Sequence, residues 1–335
     1  MRYLIFSVFI FISSFAYALN VDINRLTVSG LSAGAYMAVQ MAVSNSSRVV
    51  GLGVIEGGPY LCAQGSLEVA LNNCMETPSP TLNLQGYLKQ AQAYSSMGLI
   101  DDLKLVAPLK AFFFLGANDK VITAPLVRSN IEFFSALGVS ESQIKYVDNI
   151  LAGHAFVTVE KGNDCTTERT APFISRCGYD TVGHMFKALV GKLEPRGSAA
   201  LDHFFKFSQA TDEFARPFLI SMADDAAAYV PEPCRNGERC SVHIALHGCN
   251  QTRLNIGDQF ILDTGYAEWA DTNHMVVLFP QAFNNQFVGN PKGCWDWWGY
   301  SSDLYATKKA PQIKLIMQLV DKLATANKSE LSPLF

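Results

Sequence analysis

The chain has 335 residues, 49% of them hydrophobic and 17% charged, a balance that fits a folded protein with a large buried core and excludes a disordered one. Its formal net charge is -4, and no Lys/Arg cluster supplies the basic stripe that phosphate binding requires, so nucleic acid is set aside as a partner.

The first segment, MRYLIFSVFIFISSFAYALN, has one Arg, an apolar run over 3–11 and small residues ending in Ala16-Tyr17-Ala18. That is the pattern of a signal peptide over residues 1–18, with the mature chain starting near Leu19. The run is too short to span a bilayer and no later stretch is long enough, so the expectation is a secreted product, extracellular or periplasmic, with no membrane insertion after signal cleavage.

Export fits eight cysteines, an even number in a chain sent to an oxidising compartment. Eight thiols allow 105 connectivities. Short spacings suggest Cys62–Cys74, Cys165–Cys177 and, across the turn signal Asn236-Gly237, Cys234–Cys240, which leaves Cys249 with Cys294. A zinc site is the weaker reading, since no C-x-x-C pair is present.

Beyond the signal, apolar strand-like runs alternate with amphipathic segments, the pattern of a mostly parallel sheet with helices on both faces, so the fold class is α/β. Runs at 26–28, 49–55, 109–115, 144–147, 242–246 and 275–279 read as strands, and 33–43, 84–95, 124–137, 262–272 and 312–326 as helices. Residues 164–217 are the least regular and read as an insertion or a cap. No repeat or Pro/Ser/Thr-rich linker divides residues 19–335, so a single catalytic domain is expected.

Between the first strand and the first helix lies Gly30-Leu31-Ser32-Ala33-Gly34, a G-x-S-x-G pentapeptide where a nucleophile elbow sits. A serine hydroxyl is a weak nucleophile until a base takes its proton and an acid fixes that base in one tautomer. Both follow in order: Asp119 just past the strand 109–115, and His154 in a glycine-bearing loop past 144–147. Ser32, Asp119 and His154, each at a strand end, follow the order of an α/β-hydrolase triad. Among other acids, Asp101 and Asp102 read as a solvated helix end, and Asp148 lies too close to His154 in sequence to replace Asp119. A serine that only N-caps its helix is the plain alternative.

A hydrolase of this kind needs an oxyanion strand upstream of its serine, and almost nothing stands there. The segment 242–249, VHIALHGC, is instead a strand running into an H-G turn, similar to the one that supplies an oxyanion-hole N–H in lipases and esterases. If the helix 312–326 packs beside the nucleophile strand, the sheet closes with its strands joined in a rotated order, a circular permutation.

Taken together, GLSAGAYMAVQ, GANDKVI, AGHAF, ALHGCNQT, DTGYAEWAD, LFPQA and CWDWWGY resemble the extracellular poly(3-hydroxybutyrate) depolymerase family, in its single-domain, circularly permuted α/β-hydrolase branch, over nearly all of the mature chain. The H-G-C-x-Q and C-W-x-W-W elements are also similar to secreted feruloyl and acetylxylan esterases, and Val157 stands where the resemblance leads one to expect proline. The resemblance implies Ser32 as nucleophile, His154 as general base and then acid, Asp119 as orienter of the imidazole, and an oxyanion hole from the backbone N–H groups of Ala33 and Cys249. It also implies that the Trp-rich segment 294–300 grips a hydrophobic polyester, with Trp295 and Trp297 on one face if the segment is extended. No metal or organic cofactor is expected. The implied activity is ester hydrolysis of short-chain poly(3-hydroxyalkanoate) or its oligomers. The alternatives are a carboxylesterase acting on small soluble or plant-wall esters and a non-catalytic protein that binds hydrophobic polymer or a cell surface. His247 reads as a structural support of the oxyanion loop, and His184, His203, His243 and His274 as ordinary.

Overall fold

The computed structural model describes residues 18–75, 81–325 and 331–335, so the expected signal peptide lies almost wholly outside the described residues. The strands in chain order are β1 (Val21–Leu31), β2 (Val49–Ile55), β3 (Lys110–Gly116), β4 (Ile144–Ile150), β5 (Phe156–Thr158), β6 (Asn163–Asp164), β7 (Ile174–Arg176), β8 (Phe204–Ser208), β9 (Asp225–Tyr229), β10 (Cys240–Leu246), β11 (Met275–Phe279) and β12 (Ser332–Pro333). Nine of them form one sheet in the order β12-β8-β9-β11-β10-β1-β2-β3-β4. From β11 to β4 all neighbours are parallel, while β9, β8 and β12 are joined by antiparallel pairings at one side.

The strands that carry the centre are near-continuous apolar runs, as expected where both faces of a parallel sheet are covered. In β3, Phe112 and Phe114 face one core and Phe113 the other, all three without exposed surface; each such burial is worth about 1.5–3 kcal/mol. The first core holds the helices Ala33–Ser44, Leu84–Ser96, Ala124–Ala136 and Pro311–Thr325, and the second holds Thr181–Val190 and Tyr266–Thr272. Pro311–Thr325 packs on β1, so the last helix of the chain lies against its first strand. Among the described residues no helix is long and apolar enough to cross a membrane.

Two expectations change. The helix expected over 262–272 is two helices, Gln259–Asp263 and Tyr266–Thr272, broken where Gly265 takes φ 89°. The region 164–217 is not one insertion or cap. Only its first part stands off the main sheet, in the small sheet β5-β7-β6; the helix Thr181–Val190 then packs on β2 and β3, and β8 joins the main sheet. The cysteines pair as Cys62–Cys74, Cys165–Cys177, Cys234–Cys240 and Cys249–Cys294, the pairs that the spacing suggested.

Candidate active site

Ser32 sits between β1 and the helix Ala33–Ser44 at φ 55°, ψ -119°, a backbone conformation that non-glycine residues rarely adopt and that strain-bearing sites retain. The turn is so tight that a Cβ on Gly30 would stand 2.3 Å from the Gly34 carbonyl carbon, and one on Gly34 only 2.4 Å from the Leu246 oxygen. Only glycine fits at either place, and the second contact brings the end of β10 directly onto the elbow. Ala33 opens the helix, so its N–H has no acceptor within it.

Asp119 and His154 come from adjacent loops after β3 and β4 that are tied together by the Ala117 N–H on Ile150 O (2.7 Å) and the Asn118 N–H on Ala152 O (2.9 Å). Asp119 Oδ1 accepts the N–H groups of Val121 (2.7 Å) and Ile122 (3.0 Å), which leaves Oδ2 to accept the Nδ1–H of His154 at 2.9 Å. The Asp119 side chain is fully buried and that of His154 is 12% exposed. Burial alone would lower the imidazole pKa, but the negative charges of Asp119 and Glu56 outweigh it and raise it above the ordinary range. His154 and Ser32 line one cavity of about 520 Å³, together with Gly248, Cys249 and Trp297. Val157 is buried in β5, so pairing with β7, in place of a proline, fixes the chain after His154.

The other acids lie elsewhere. Asp101 pairs with Lys308 at 2.6 Å, Asp102 caps Leu103–Val106 through the Lys104 N–H, and Asp148 is exposed on β4.

The loop after β10, the expected oxyanion loop, is held by Gln251, which gave little signal in the sequence, and by His247, which was read as its support. Gln251 Oε1 accepts the Gly248 N–H at 2.7 Å, and its Nε2 donates to the carbonyls of Pro172 and Phe173. His247 Nε2 accepts the Ala282 N–H at 3.1 Å, so the other nitrogen carries the proton and donates to Gly248 O at 2.7 Å. Burial holds the His247 pKa down to about 4, so the ring stays neutral in this role. His243, four residues earlier, does not pair with it as a metal ligand: it bonds the hydroxyls of Thr27 (2.7 Å) and Ser29 (2.8 Å) inside the core. Cys249 is anchored to Cys294.

The two tryptophans do not share a face. Trp295 is corrected from a substrate contact to a core residue: it is fully buried and its Nε1–H donates to His247 O at 2.8 Å, beneath the oxyanion loop. Trp297 is on the cavity wall, stacked on Tyr36 with centroids 4.1 Å apart and planes 10° from parallel, and Trp298 lines the wall beside it. The chain is not extended here, because Asp296 gathers the N–H groups of Gly299, Tyr300 and Ser301 and folds it into a turn.

Sequence reasoning missed Glu56, which follows β2 and is fully buried with Oε2 3.0 Å from His154 Nδ1. Glu56, Asp119 and His154 are the one trio of metal-capable side chains found within 4.8 Å among the described residues, and the two carboxylates already face the imidazole Nδ1.

A parallel sheet with a strained serine elbow after a central strand, and a carboxylate-bound histidine three strands further on, defines an α/β hydrolase. No protein-family model matches the chain. Over 315 residues it is 36% identical to a poly(3-hydroxybutyrate) depolymerase of Delftia acidovorans, covering 92% of this chain and 61% of that protein's length. Over 300 residues it is 34% identical to a polyhydroxybutyrate depolymerase of Talaromyces funiculosus, covering 84% of each. The crystal structure of a PHB depolymerase from Penicillium funiculosum matches with a TM-score of 0.84 at 31% identity, over 92% of this chain and 98% of that one. A serine-to-alanine variant of a PHB depolymerase complexed with an R3HB trimer matches with the same score at 30% identity and the same coverage. The chain belongs to the poly(3-hydroxybutyrate) depolymerase family.

Proposed function

We propose that this protein is an exported serine esterase that hydrolyses poly(3-hydroxybutyrate), or related short-chain polyesters and their oligomers, through an acyl-enzyme. The observation that carries the reading is the meeting of Ser32, on its strained turn, with the Asp119-bound His154 in one cavity. His154 takes the Ser32 proton as the hydroxyl attacks the ester carbonyl, and the amides of Ala33 and Cys249 bind the oxyanion. One such donor is worth about 2.7–4 kcal/mol in the transition state. His154 then protonates the leaving alcohol, and the same nitrogen activates the water that frees the acid. Asp119 keeps the Nδ1–H tautomer and stabilises the imidazolium.

An apolar substrate fits the surroundings. Leu67 and Leu71 on the cavity wall are about half exposed, and Phe287, two residues from the wall residue Gly289, is completely exposed. Large apolar side chains left in water beside a cleft mark a surface that meets an apolar partner. Four disulfides support export. The last helix on β1, and β10 beside it, support the rotated strand order, with residues 19–335 acting as one catalytic domain.

The test is labelling with a fluorophosphonate followed by peptide mapping, together with acid release from polyhydroxybutyrate film, its trimer and methyl ferulate. Label on Ser32 and release from film and trimer are expected. Activity on the ferulate alone would overturn the polyester reading, and undiminished activity of Ser32→Ala would overturn the serine mechanism.

A further inference from the structure

Glu56 is a buried ionisable group against the triad to which the cycle above gives no task. It is held at φ 57°, a conformation that costs a non-glycine residue about 1–3 kcal/mol and persists where the surroundings impose it. Its N–H donates to Phe114 O at 2.9 Å, and its Oε1 accepts the Gly116 N–H at 3.2 Å, so backbone and carboxyl are both fixed against β3. Oε2 stands 3.0 Å from His154 Nδ1, against 2.9 Å for Asp119 Oδ2, yet makes no hydrogen bond, because the N–H is given to Asp119. A buried polar atom left unpaired costs about 1–3 kcal/mol. Here that atom is kept beside the one N–H whose position the triad depends on.

We propose that Glu56 is a second acceptor for the His154 Nδ1–H, a positioning residue that stands beside Asp119 at the same nitrogen and takes over the bond when Asp119 is removed. The inference rests on the serine-hydrolase reading of the site. The proton stays on Nδ1 throughout; only its acceptor changes. The electrostatics favour the exchange. Burial first, and then the charge of Asp119, raise the Glu56 pKa above the ordinary carboxyl range against the opposing pull of His154, so Asp119 weakens the hold of Glu56 on its charge. Removing Asp119 removes that repulsion and strengthens the Glu56 charge beside the imidazole that needs it.

Three variants, Glu56→Gln, Asp119→Ala and the double variant, test this with a soluble ester. Loss of the acid from a triad with a single carboxylate costs about 10⁴-fold in kcat. Here Asp119→Ala is expected to lose about 10²-fold and the double variant about 10⁴-fold, while Glu56→Gln alone loses about tenfold or less in kcat with KM unchanged. Glutamine keeps the bond to Gly116, and thermal unfolding of each variant reports its fold. As a readout independent of turnover, the downfield Nδ1–H proton resonance is expected to persist in Asp119→Ala and vanish in the double variant. The proposal is overturned if Asp119→Ala alone falls by the full 10⁴-fold, if Glu56→Gln has the same effect in both backgrounds, or if the resonance is already lost in Asp119→Ala. An inactive wild-type protein would count against the hydrolase reading instead, and the resonance would still test Glu56.

Discussion

Removing the bridge between Cys249 and Cys294 separates the stability of this fold from the geometry of its proposed oxyanion hole. The bridge spans 45 residues and the one between Cys234 and Cys240 spans 6. Loop-closure entropy assigns about 4.0 kcal/mol to the longer loop and about 2.2 kcal/mol to the shorter. At about 2.1 cal/mol/K per residue, these correspond to Tm losses of roughly 6 °C and 3 °C for the paired Cys→Ser variants. Catalysis should part them much further. Cys249 carries one of the two proposed amides, whereas Cys240 opens β10, at the opposite end of that strand from the site, and holds Cys234 from the short helix before it. A misplacement of about 1 Å at reacting groups costs on the order of 10²-fold, so Cys249→Ser/Cys294→Ser should lose about that much in kcat/KM. Cys234→Ser/Cys240→Ser should keep wild-type turnover. Initial rates on a soluble ester at 20 °C, with both variants shown to be folded by circular dichroism, decide the matter. Equal turnover in the two would refute the reasoning that the longer bridge fixes a catalytic amide.

Gly34→Ala places its methyl group 2.4 Å from the Leu246 oxygen, so kcat/KM should fall about 10²-fold while the core, monitored by thermal unfolding, loses about 1–3 kcal/mol. Trp297→Ala removes the stack on Tyr36 and part of the cavity wall; a stability loss of about 3–5 kcal/mol by urea unfolding is expected, with a raised KM for the hydroxybutyrate trimer and a smaller change for a short acetyl ester. His154 works as a base only when its Nε2 is unprotonated, and Asp119 and Glu56 raise its pKa, so kcat/KM should climb with pH along a limb lying above the ordinary imidazole value of about 6.5. A limb centred below that value would contradict the assignment of those two carboxylates as its neighbours.

Much of this architecture was legible because its signals are local. The apolar runs of β2, β3 and β11 can only be buried, and the elbow glycines announce a turn that admits no Cβ. What the sequence concealed depends on partners far along the chain. β8 was lost inside the segment 164–217 that looked irregular, and β9 just beyond it gave no signal, since DAAAY has none of the β-branched residues that mark a strand and is placed by pairing with β8 and β11. Trp295 and Trp297 are two residues apart and looked alike, but the turn built on Asp296 sends one under the oxyanion loop and the other to the cavity. Glu56 had one faint signal, an acid closing the apolar run VVGLGVI before two glycines, and nothing in the sequence tied it to a histidine 98 residues away.

The spatial order of the sheet explains why the rotated chain order proposed above would cost the site nothing. Across the neighbouring parallel strands β10, β1, β2, β3 and β4, the C-terminal ends present in turn the oxyanion loop, Ser32, Glu56, Asp119 and His154. Ligands of open parallel sheets bind at these ends because the loops that follow the strands converge there. Each strand therefore delivers one component to its neighbour's component, whichever part of the chain supplied it. Registers such as Gly30 with Leu246 on one side and Val54 on the other fix the relative heights of those ends. The order in which the connections run is constrained only by where the termini fall, and the helix Pro311–Thr325 on β1 brings the late chain back to the early one. The chemistry is set by strand adjacency and register, and the connections need only respect them.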